Sequence, residues 1–599
     1  MTKILLIFPL VIMCFSAYGQ QKITIENLLN QEKLSGAVYT IVKEDSIKIF
    51  SAGYKNLQTK EILQSNNQVH IGSITKPILA LGVLMLDTKG KLNIDDPVKK
   101  YLPDLPIENP WESTHPIKIR HLLDHTSGLT DFKLWHFFSS SSNPRTPLSA
   151  FYTRNTDVLR VQEKPGTIFS YSNIGYTLLG ILMEKVVNQP YEQFLDENLL
   201  KPIGMNNSTF QFVSQLGNSK NEKLAMGHFD DGSLAPALPI YPRPAAQFTT
   251  TAFDMGILIQ FYLNKGKVNN LQVIDGAYFE QLGLAKYTEA SKRSLNVGYG
   301  LGISKRDRHG VVGLAHSGNV IGYRAMMYIF PKEKKGFFIA HNMDSESADY
   351  ERFNQILIEN LNIKKTTPKH QQAVTTKQFA DWAGYYIPKI TKIEPWQLLD
   401  IIGNFTKVSF TEKSMKISPF QKKVLVLNHI GGGVFQQSDK VNPSHLLYEI
   451  TNTKYLTTSF FTMKKINGWK IFLSATSLFV GIFGLVIIFT SSIYNIFINK
   501  SKCLNNPIFV TFLGILLFLI SILLISTKNI IFIGDKNAGS TLLYLSTILL
   551  PILVVINLAI YLKNHRFPYK TIDFWATLCV FQLVVLLILF GLIPFVTWR

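Results

Sequence analysis

Between residue 471 and the C-terminus the chain carries four apolar blocks, "IFLSATSLFVGIFGLVIIF", "PIFVTFLGILLFLISILLI", "TLLYLSTILLPILVVINLAIYL" and "FWATLCVFQLVVLLILFGLIPFV". Each is close to the ~20 residues that cross a hydrocarbon core as a helix. Buried helices of a soluble domain would show a polar face at helical spacing, and these blocks show almost none. They are read as four transmembrane helices, a membrane domain over residues 470–598. Whatever folds before residue 470 therefore works tethered beside a bilayer.

The other end points to export. "MTKILLIFPLVIMCFSAYGQQ" has a basic start, a short apolar core, and Ala17 and Gly19 at the small-residue spacing that signal peptidase reads, so residues 1–19 are expected to be a signal peptide. Cys14 opens a lipoprotein alternative, which the bulky Met13 before it fits poorly. The remaining cysteines, Cys503 and Cys579, fall in the membrane tail, so no disulfide staples the exported portion.

The formal charge of +20 raises the question of an anionic partner. From Lys464 onward there are eleven Lys and Arg against two Asp and Glu, so much of the excess flanks the membrane helices. No basic block interleaved with aromatics occurs in the exported part, and nucleic acid is excluded as a partner. The positive-inside rule does not orient the tail. Lys500, Lys502, Lys563, Arg566 and Lys570 on one side barely differ from Lys464, Lys465, Lys470, Lys528, Lys536 and Arg599 on the other. The signal peptide instead puts the large domain on the periplasmic or extracytoplasmic side of a multi-pass membrane protein.

Along the exported part, "SGAVYTIVKEDSIKIFSAGY" alternates apolar and polar residues around a charged turn and predicts a hairpin. Helical patterns dominate from about 74 to 265. Then "VGYGLGISKR", "GLAHSGNVIGYRAMMYIF" and "KKGFFIAHN" return to strands. Strands at both ends enclosing helices predict an α/β domain over 20–365, one sheet assembled from distant segments with a helical subdomain inserted. The polar stretch 366–376 is a linker. Residues 377–465 hold short β runs, "KVSF", "KVLVLNHI", "HLLYEITNT" and "YLTTSFFTM", a small β module with no chemical cluster.

The chemistry-bearing residues start in "HIGSITKPILALGVLML". Residues three apart on a helix share a face, so Lys76 lies beside Ser73 if the helix begins near Ser73. Free N–H groups at that helix start favour negative charge on a bound oxygen. A partly desolvated lysine loses its proton readily, and as a neutral amine it can take the serine proton and leave a nucleophile. Taken alone, Ser-x-x-Lys occurs by chance in a chain of this length. Two later triplets add to it: Tyr171-Ser172-Asn173 in "PGTIFSYSNIGYTLLG", 98 positions beyond Ser73, and His316-Ser317-Gly318 in "GLAHSGNVIGY", whose glycine is expected to let substrate backbone come close.

In this order, and with the phrases "HLLDHTSGL", "LKPIGM" and "AAQFTTTAFDM", the chain from about 24 to 345 resembles the penicillin-recognising serine hydrolases: class C β-lactamases, DD-peptidases, D-aminopeptidases and related esterases. The resemblance implies a β-lactamase/transpeptidase-like antiparallel sheet flanked by helices. By position it assigns Ser73 as the acylated nucleophile, Lys76 as its base and Tyr171 as the proton shuttle. Asn173 would hold the substrate amide, and the backbone N–H groups of Ser73 and Asn319 would form the oxyanion hole beside His316, Ser317 and Gly318. No cofactor is implied.

One position departs. Many β-lactamases of this family have Lys-Thr-Gly where this chain has His-Ser-Gly, and a histidine there resembles the peptidase and aminopeptidase branches. A neutral imidazole attracts a carboxylate less than lysine does. His121 and His125, four apart, have metal-ligand spacing, but Leu122 stands where a zinc peptidase needs glutamate, and no metal is expected. Glu163 reads as a surface carboxylate. The aromatic residues Trp135, Phe137, Phe138 and Tyr241 are candidates for the pocket wall. The expected function is a membrane-anchored exported serine hydrolase acting through an acyl-enzyme on a peptide, amide or ester, most simply a D-amino-acid peptide. The alternatives are a β-lactamase, a slow penicillin-binding sensor or scaffold, and a prodrug-activating acyl-D-amino-acid peptidase. The partners expected are a small-molecule or peptide substrate and the lipid bilayer.

Overall fold

The computed structural model describes residues 24–366, 375–391, 397–498, 506–564 and 568–598. The expected signal peptide with Cys14, most of the expected linker, and Cys503 lie outside them.

Eight strands make one antiparallel sheet: β1 (Gly36–Lys43), β2 (Ser46–Asn56), β3 (Glu61–Ile62), β4 (Tyr299–Gly300), β5 (Ile303–Arg308), β6 (Val311–Val320), β7 (Tyr323–Phe330) and β8 (Lys335–His341), in the order β4-β5-β6-β7-β8-β1-β2-β3. β1 and β2 form the expected hairpin, Gly36 opposite Gly53 and Lys43 opposite Ser46. β1 also pairs with β8, from Ala37 opposite His341 to Lys43 opposite Lys335, which joins the two ends of the domain. Both faces of the sheet are covered, so β7 and β8 are apolar on both. Val38, Met327, Phe338 and Ala340 face the helical region. Their sequence neighbours Ala37, Met326 and Ile339 face the terminal helices Ile25–Gln31 and Tyr350–Asn360, as a period of two requires.

The helix Thr75–Thr88 runs through the middle of the helical region. Every residue from Thr75 to Leu86 is buried, the pattern of a helix surrounded on all sides. Pro77 sits in its first turn, where its missing N–H has no partner to lose.

The β module is a closed eight-stranded barrel. Its first strand, Gly384–Pro388, pairs with its last, Thr462–Ile466, Tyr385 lying opposite Ile466. Side chains such as Tyr386, Met415, Leu427 and Phe435 fill the interior. The barrel is fastened to the α/β domain by the Asp307 carboxylate, which accepts from the backbone N–H groups of Val441 at 3.0 Å and Asn442 at 2.7 Å. Glu163 adds an ion pair with Lys389 at 2.8 Å.

Among the described residues, four helices are long and apolar enough to cross a membrane: Gly468–Ile498, Ile508–Ser526, Ala538–Asn564 and Ile572–Leu589. The last stops at Leu589 instead of continuing through the apolar block to Val596, because Gly591 turns the chain at φ +68°. The first begins one residue after the barrel. It packs on the fourth through Gly481 and Gly484, where an added Cβ would lie 2.4 Å from Leu583 Cβ and 2.7 Å from the Ala576 carbonyl oxygen. Asn557, fully buried on the third helix, donates to the hydroxyls of Thr511 at 2.8 Å and Thr577 at 3.1 Å and so ties three helices together. The hairpin between the second and third helices reaches the α/β domain, Gly534 N–H donating to Phe138 O at 2.7 Å. The second helix thus brings the chain back to the end of the helical bundle that lies beside the α/β domain, as that contact requires.

Candidate active site

Ser73 sits in a single 3₁₀ turn, Gly72–Ile74, that leads into the buried helix. The turn is tight: Gly72 has φ +50°, and Thr75 Oγ1 donates back to the Gly72 carbonyl at 2.6 Å. Lys76 follows one turn later with no exposed surface. Its Nζ lies 2.9 Å from Ser73 Oγ, and the Tyr171 hydroxyl donates to the same oxygen at 2.9 Å. Lys76 Nζ also donates to Asn173 Oδ1 at 2.7 Å and to the Ala245 carbonyl at 2.8 Å.

These contacts suit a neutral amine. Burial pushes Lys76 down to about 7 from the ordinary lysine value, only partly opposed by the Asp131 charge. A neutral amine has two hydrogens and one lone pair. Asn173 Oδ1 and Ala245 O can only accept, so they take both hydrogens, and the lone pair is left for the Ser73 hydroxyl proton. Burial raises the Tyr171 phenol far above its usual range, so it stays protonated and donates.

Local sequence explains how Tyr171 and Asn173 arrive there. Ser172 caps the helix Asn173–Val187: its Oγ accepts from Gly175 N–H at 3.0 Å and donates to Thr130 O at 2.6 Å. Asn173 donates from its backbone and its side chain to Asp131 Oδ1, at 2.8 and 2.7 Å. Its carbonyl is taken by Lys76 and one amide hydrogen by Asp131, which leaves the second amide hydrogen for a substrate carbonyl. His125 Nδ1 accepts from Ser172 N–H at 3.1 Å, and its ring packs on that of Tyr171 with centroids 4.2 Å apart. His121 Nδ1 accepts from Lys118 N–H at 3.2 Å. The two histidines with metal-ligand spacing thus support backbone.

β6 supplies the opposite wall. β5 pairs with it only from Arg308 opposite Val311 to Ser304 opposite Ala315, so its outer edge is open from His316 onward. Gly318 lines the cavity beside Ser73, and its lack of a side chain also has a structural use. Its missing side chain is replaced by the chain itself: a Cβ there would lie 1.8 Å from the Ile71 carbonyl oxygen, and one on Gly72 would lie 2.6 Å from the Asn319 carbonyl carbon. The serine turn and β6 meet backbone to backbone, which sets Ser73 and Asn319 on the same wall. Gly318→Ala is therefore expected to destabilise the fold by about 1–3 kcal/mol and to lower activity further by parting that wall, measurable as a lower melting midpoint with a disproportionate fall in kcat.

His316 is buried, and burial, with Lys76 nearby as a smaller cause, pushes it down to about 3. It is a neutral imidazole. Nδ1 donates to the Ser317 carbonyl at 2.7 Å and Nε2 lies 3.1 Å from the Tyr299 hydroxyl. Ser317 and Asn319 are exposed on the strand.

Ser73, Tyr171 and the His316–Asn319 run line one cavity of about 610 Å³, and Phe460 of the barrel closes part of its rim. Phe460 packs edge-on against Phe169, centroids 5.9 Å apart. None of the four aromatics proposed for the wall lines this cavity. Trp135 and Tyr241 are buried against each other, 4.7 Å between centroids, because the Trp135 loop, to which Tyr241 is joined by its N–H on the His136 carbonyl, turns toward the hairpin at Gly534. Four contributors had no sequence signal of their own. Ala245 acts through a backbone carbonyl. Asp131 and Tyr299 act through partners distant in sequence. Phe460 lies inside a run that reads as one strand, "YLTTSFFTM", but bends at Thr458–Phe461 into a hairpin tip.

The chain is similar to known proteins. A family model described as Beta-lactamase matches residues 22–359, more than half of the chain. Penicillin-binding protein 4* of Bacillus subtilis (strain 168) is 25% identical over 383 residues, 60% of this chain and 81% of that protein. Protein flp of Staphylococcus aureus (strain MW2) is 27% identical over 373 residues, 60% of this chain and 69% of that protein. The crystal structure of SurE aligns with a TM-score of 0.50 at 17% identity, covering 74% of this chain and 97% of that one, a likeness of fold alone. With an antiparallel sheet, an inserted helical region and a family match spanning both, the chain belongs to the beta-lactamase family of serine hydrolases.

Proposed function

We propose that the protein is a membrane-anchored serine hydrolase that opens amide or ester bonds through an acyl-enzyme on Ser73, with D-amino-acid peptides as its substrate class. The observation that carries this reading is the placement of Lys76 Nζ and Tyr171 Oη each 2.9 Å from Ser73 Oγ. Lys76 takes the hydroxyl proton as Oγ attacks the substrate carbonyl. The N–H groups of Ser73 and Asn319 hold the oxyanion. The Tyr171 phenol gives its proton to the departing amine or alkoxide and recovers one from Lys76, whose charge is thereby removed. Water then attacks the acyl group, the same groups returning the proton to Ser73.

The preference for peptide over β-lactam rests on His316. A buried neutral imidazole supplies no cation where a β-lactam carboxylate would lie. Penicillin-binding protein 4* of Bacillus subtilis is named for penicillin binding, and slow acylation by penicillins fits this site better than rapid turnover. The domain boundaries proposed are a signal peptide 1–19, hydrolase 20–365, linker 366–376, β module 377–465 and membrane domain 470–598, with the hydrolase on the extracytoplasmic side. Four helices of this apolarity act as the anchor. Protease accessibility in spheroplasts tests the orientation, and digestion of the hydrolase only after lysis would reverse it.

Purified full-length protein in detergent is expected to hydrolyse a D-amino-acid anilide and p-nitrophenyl acetate, and a chromogenic cephalosporin far more slowly. Absence of both hydrolysis and acylation across that panel would contradict the reading. Tyr171→Phe keeps the buried ring and removes the relay. It should fold normally and lose about 10² in kcat, the lower end of what a positioned proton shuttle contributes, with little change in KM.

A further inference from the structure

We propose that the cleft between the serine-rich loop after Phe138 and the hairpin joining the second and third membrane helices binds the phosphate of an anionic lipid headgroup. This rests on the membrane reading of the four helices. The cleft encloses about 900 Å³. The hairpin is docked, not merely adjacent: besides Gly534 N–H to Phe138 O, the Asp535 carboxylate accepts from Ser139 Oγ at 2.5 Å, Ser140 Oγ at 2.6 Å and Ser140 N–H at 2.9 Å. A Cβ on Gly534 would lie 2.4 Å from Trp135 Cα, so the approach is as close as backbone permits.

Asp535 is thereby occupied, and among the described residues it is the only carboxylate side chain on the lining. Three cations share that lining, Arg154, Lys528 and Lys536, and none has an ion pair among the described residues. The Arg154 guanidinium carbon lies 5.4 Å from the centroids of both Trp135 and Tyr241, a cation–π contact that uses none of its N–H donors. Asn537 adds the amide hydrogen left over from its 3.2 Å bond to the Asp535 carbonyl, and Ser141, whose hydroxyl already meets Ser139 Oγ and the Tyr241 hydroxyl, lies on the same lining. A guanidinium fork, two point charges and neutral donors are the groups that bind a phosphodiester.

The position selects the source of the phosphate. Lys528 stands two residues after the second membrane helix ends at Ser526, and Lys536 two before the third starts at Ala538. Both lie at the level of the headgroups. Phe532 and Trp598 line the same cleft, and Trp598 packs on Tyr544 with centroids 5.8 Å apart, an aromatic pair suited to the interface. A soluble phosphate has no use for those apolar walls, whereas a lipid's glycerol and upper acyl chain do.

The test compares full-length wild type with Lys528→Gln/Lys536→Gln, both exposed, and with Arg154→Gln. Retention of phosphatidylglycerol, phosphatidylcholine and inorganic phosphate is measured by native mass spectrometry from detergent, and flotation on vesicles is measured for every form. Wild type is expected to retain phosphatidylglycerol at least tenfold better than phosphatidylcholine, and the variants to lose that preference while still floating. Failure of wild type to float would sink the membrane reading itself. Equal retention of the two lipids, or unchanged retention in the variants, would overturn the site, and binding of inorganic phosphate without lipid preference would overturn the lipid source.

Discussion

Ser73→Ala is expected to reduce hydrolysis to the uncatalysed background on every substrate the wild type cleaves, a fall of at least about four orders of magnitude. Ser73 is half-buried at the mouth of the cavity, and its hydroxyl is the point where Lys76 and Tyr171 meet. Alanine removes the attacking atom and leaves the turn intact, since the backbone contacts of Gly72, Ile74 and Thr75 hold it. The melting midpoint should therefore stay within a degree or two while steady-state turnover of p-nitrophenyl acetate vanishes. Residual activity within tenfold of wild type would mean that another group attacks.

Lys76→Met should cost nearly as much, about 10⁴ in kcat/KM, the upper end for a positioned base, and it should also change the shape of the pH profile. In wild type the amine works only when neutral, so the rate is expected to rise with pH through about 7 and then level off. The variant's residual rate should show no such step. Stability carries the same signature. Because burial lowers the lysine from 10.5 to about 7, the folded protein binds fewer protons than the unfolded chain between those values. Stability therefore rises with pH across that window, and the contribution is most unfavourable below pH 7. Methionine fills the channel without a charge, so its melting midpoint should be flatter with pH. A wild-type profile flat from pH 5 to 9 would contradict the neutral-amine assignment.

The reactive pair was readable in the sequence because three residues on a helix are neighbours whatever surrounds them. Tyr171 was readable only through the resemblance, since nothing local says that a phenol 98 residues away returns to Ser73. The sheet was readable from period-two strands at both ends, but barrel closure was not, because the pairing of Tyr385 with Ile466 leaves no local pattern. Ala245 was invisible for a plainer reason: it contributes a backbone carbonyl, which every residue has. The close approach expected at Gly318 has a partner that local sequence does not reveal, the Ile71 carbonyl, because that contact is made between segments far apart in the chain. Trp135 and Tyr241 look like pocket walls in sequence and prove to be core, because loop composition records apolarity without direction.

Every step proposed for hydrolysis passes through an acyl group on Ser73. Full-length protein should be trapped with a fluorescent penicillin and, separately, with an activated ester quenched in acid, then digested and mapped by mass. One adduct is expected, on the peptide containing Ser73, lost in Ser73→Ala and formed more slowly below pH 7. An adduct on any other residue, or multiple turnover with no adduct at Ser73, would contradict it.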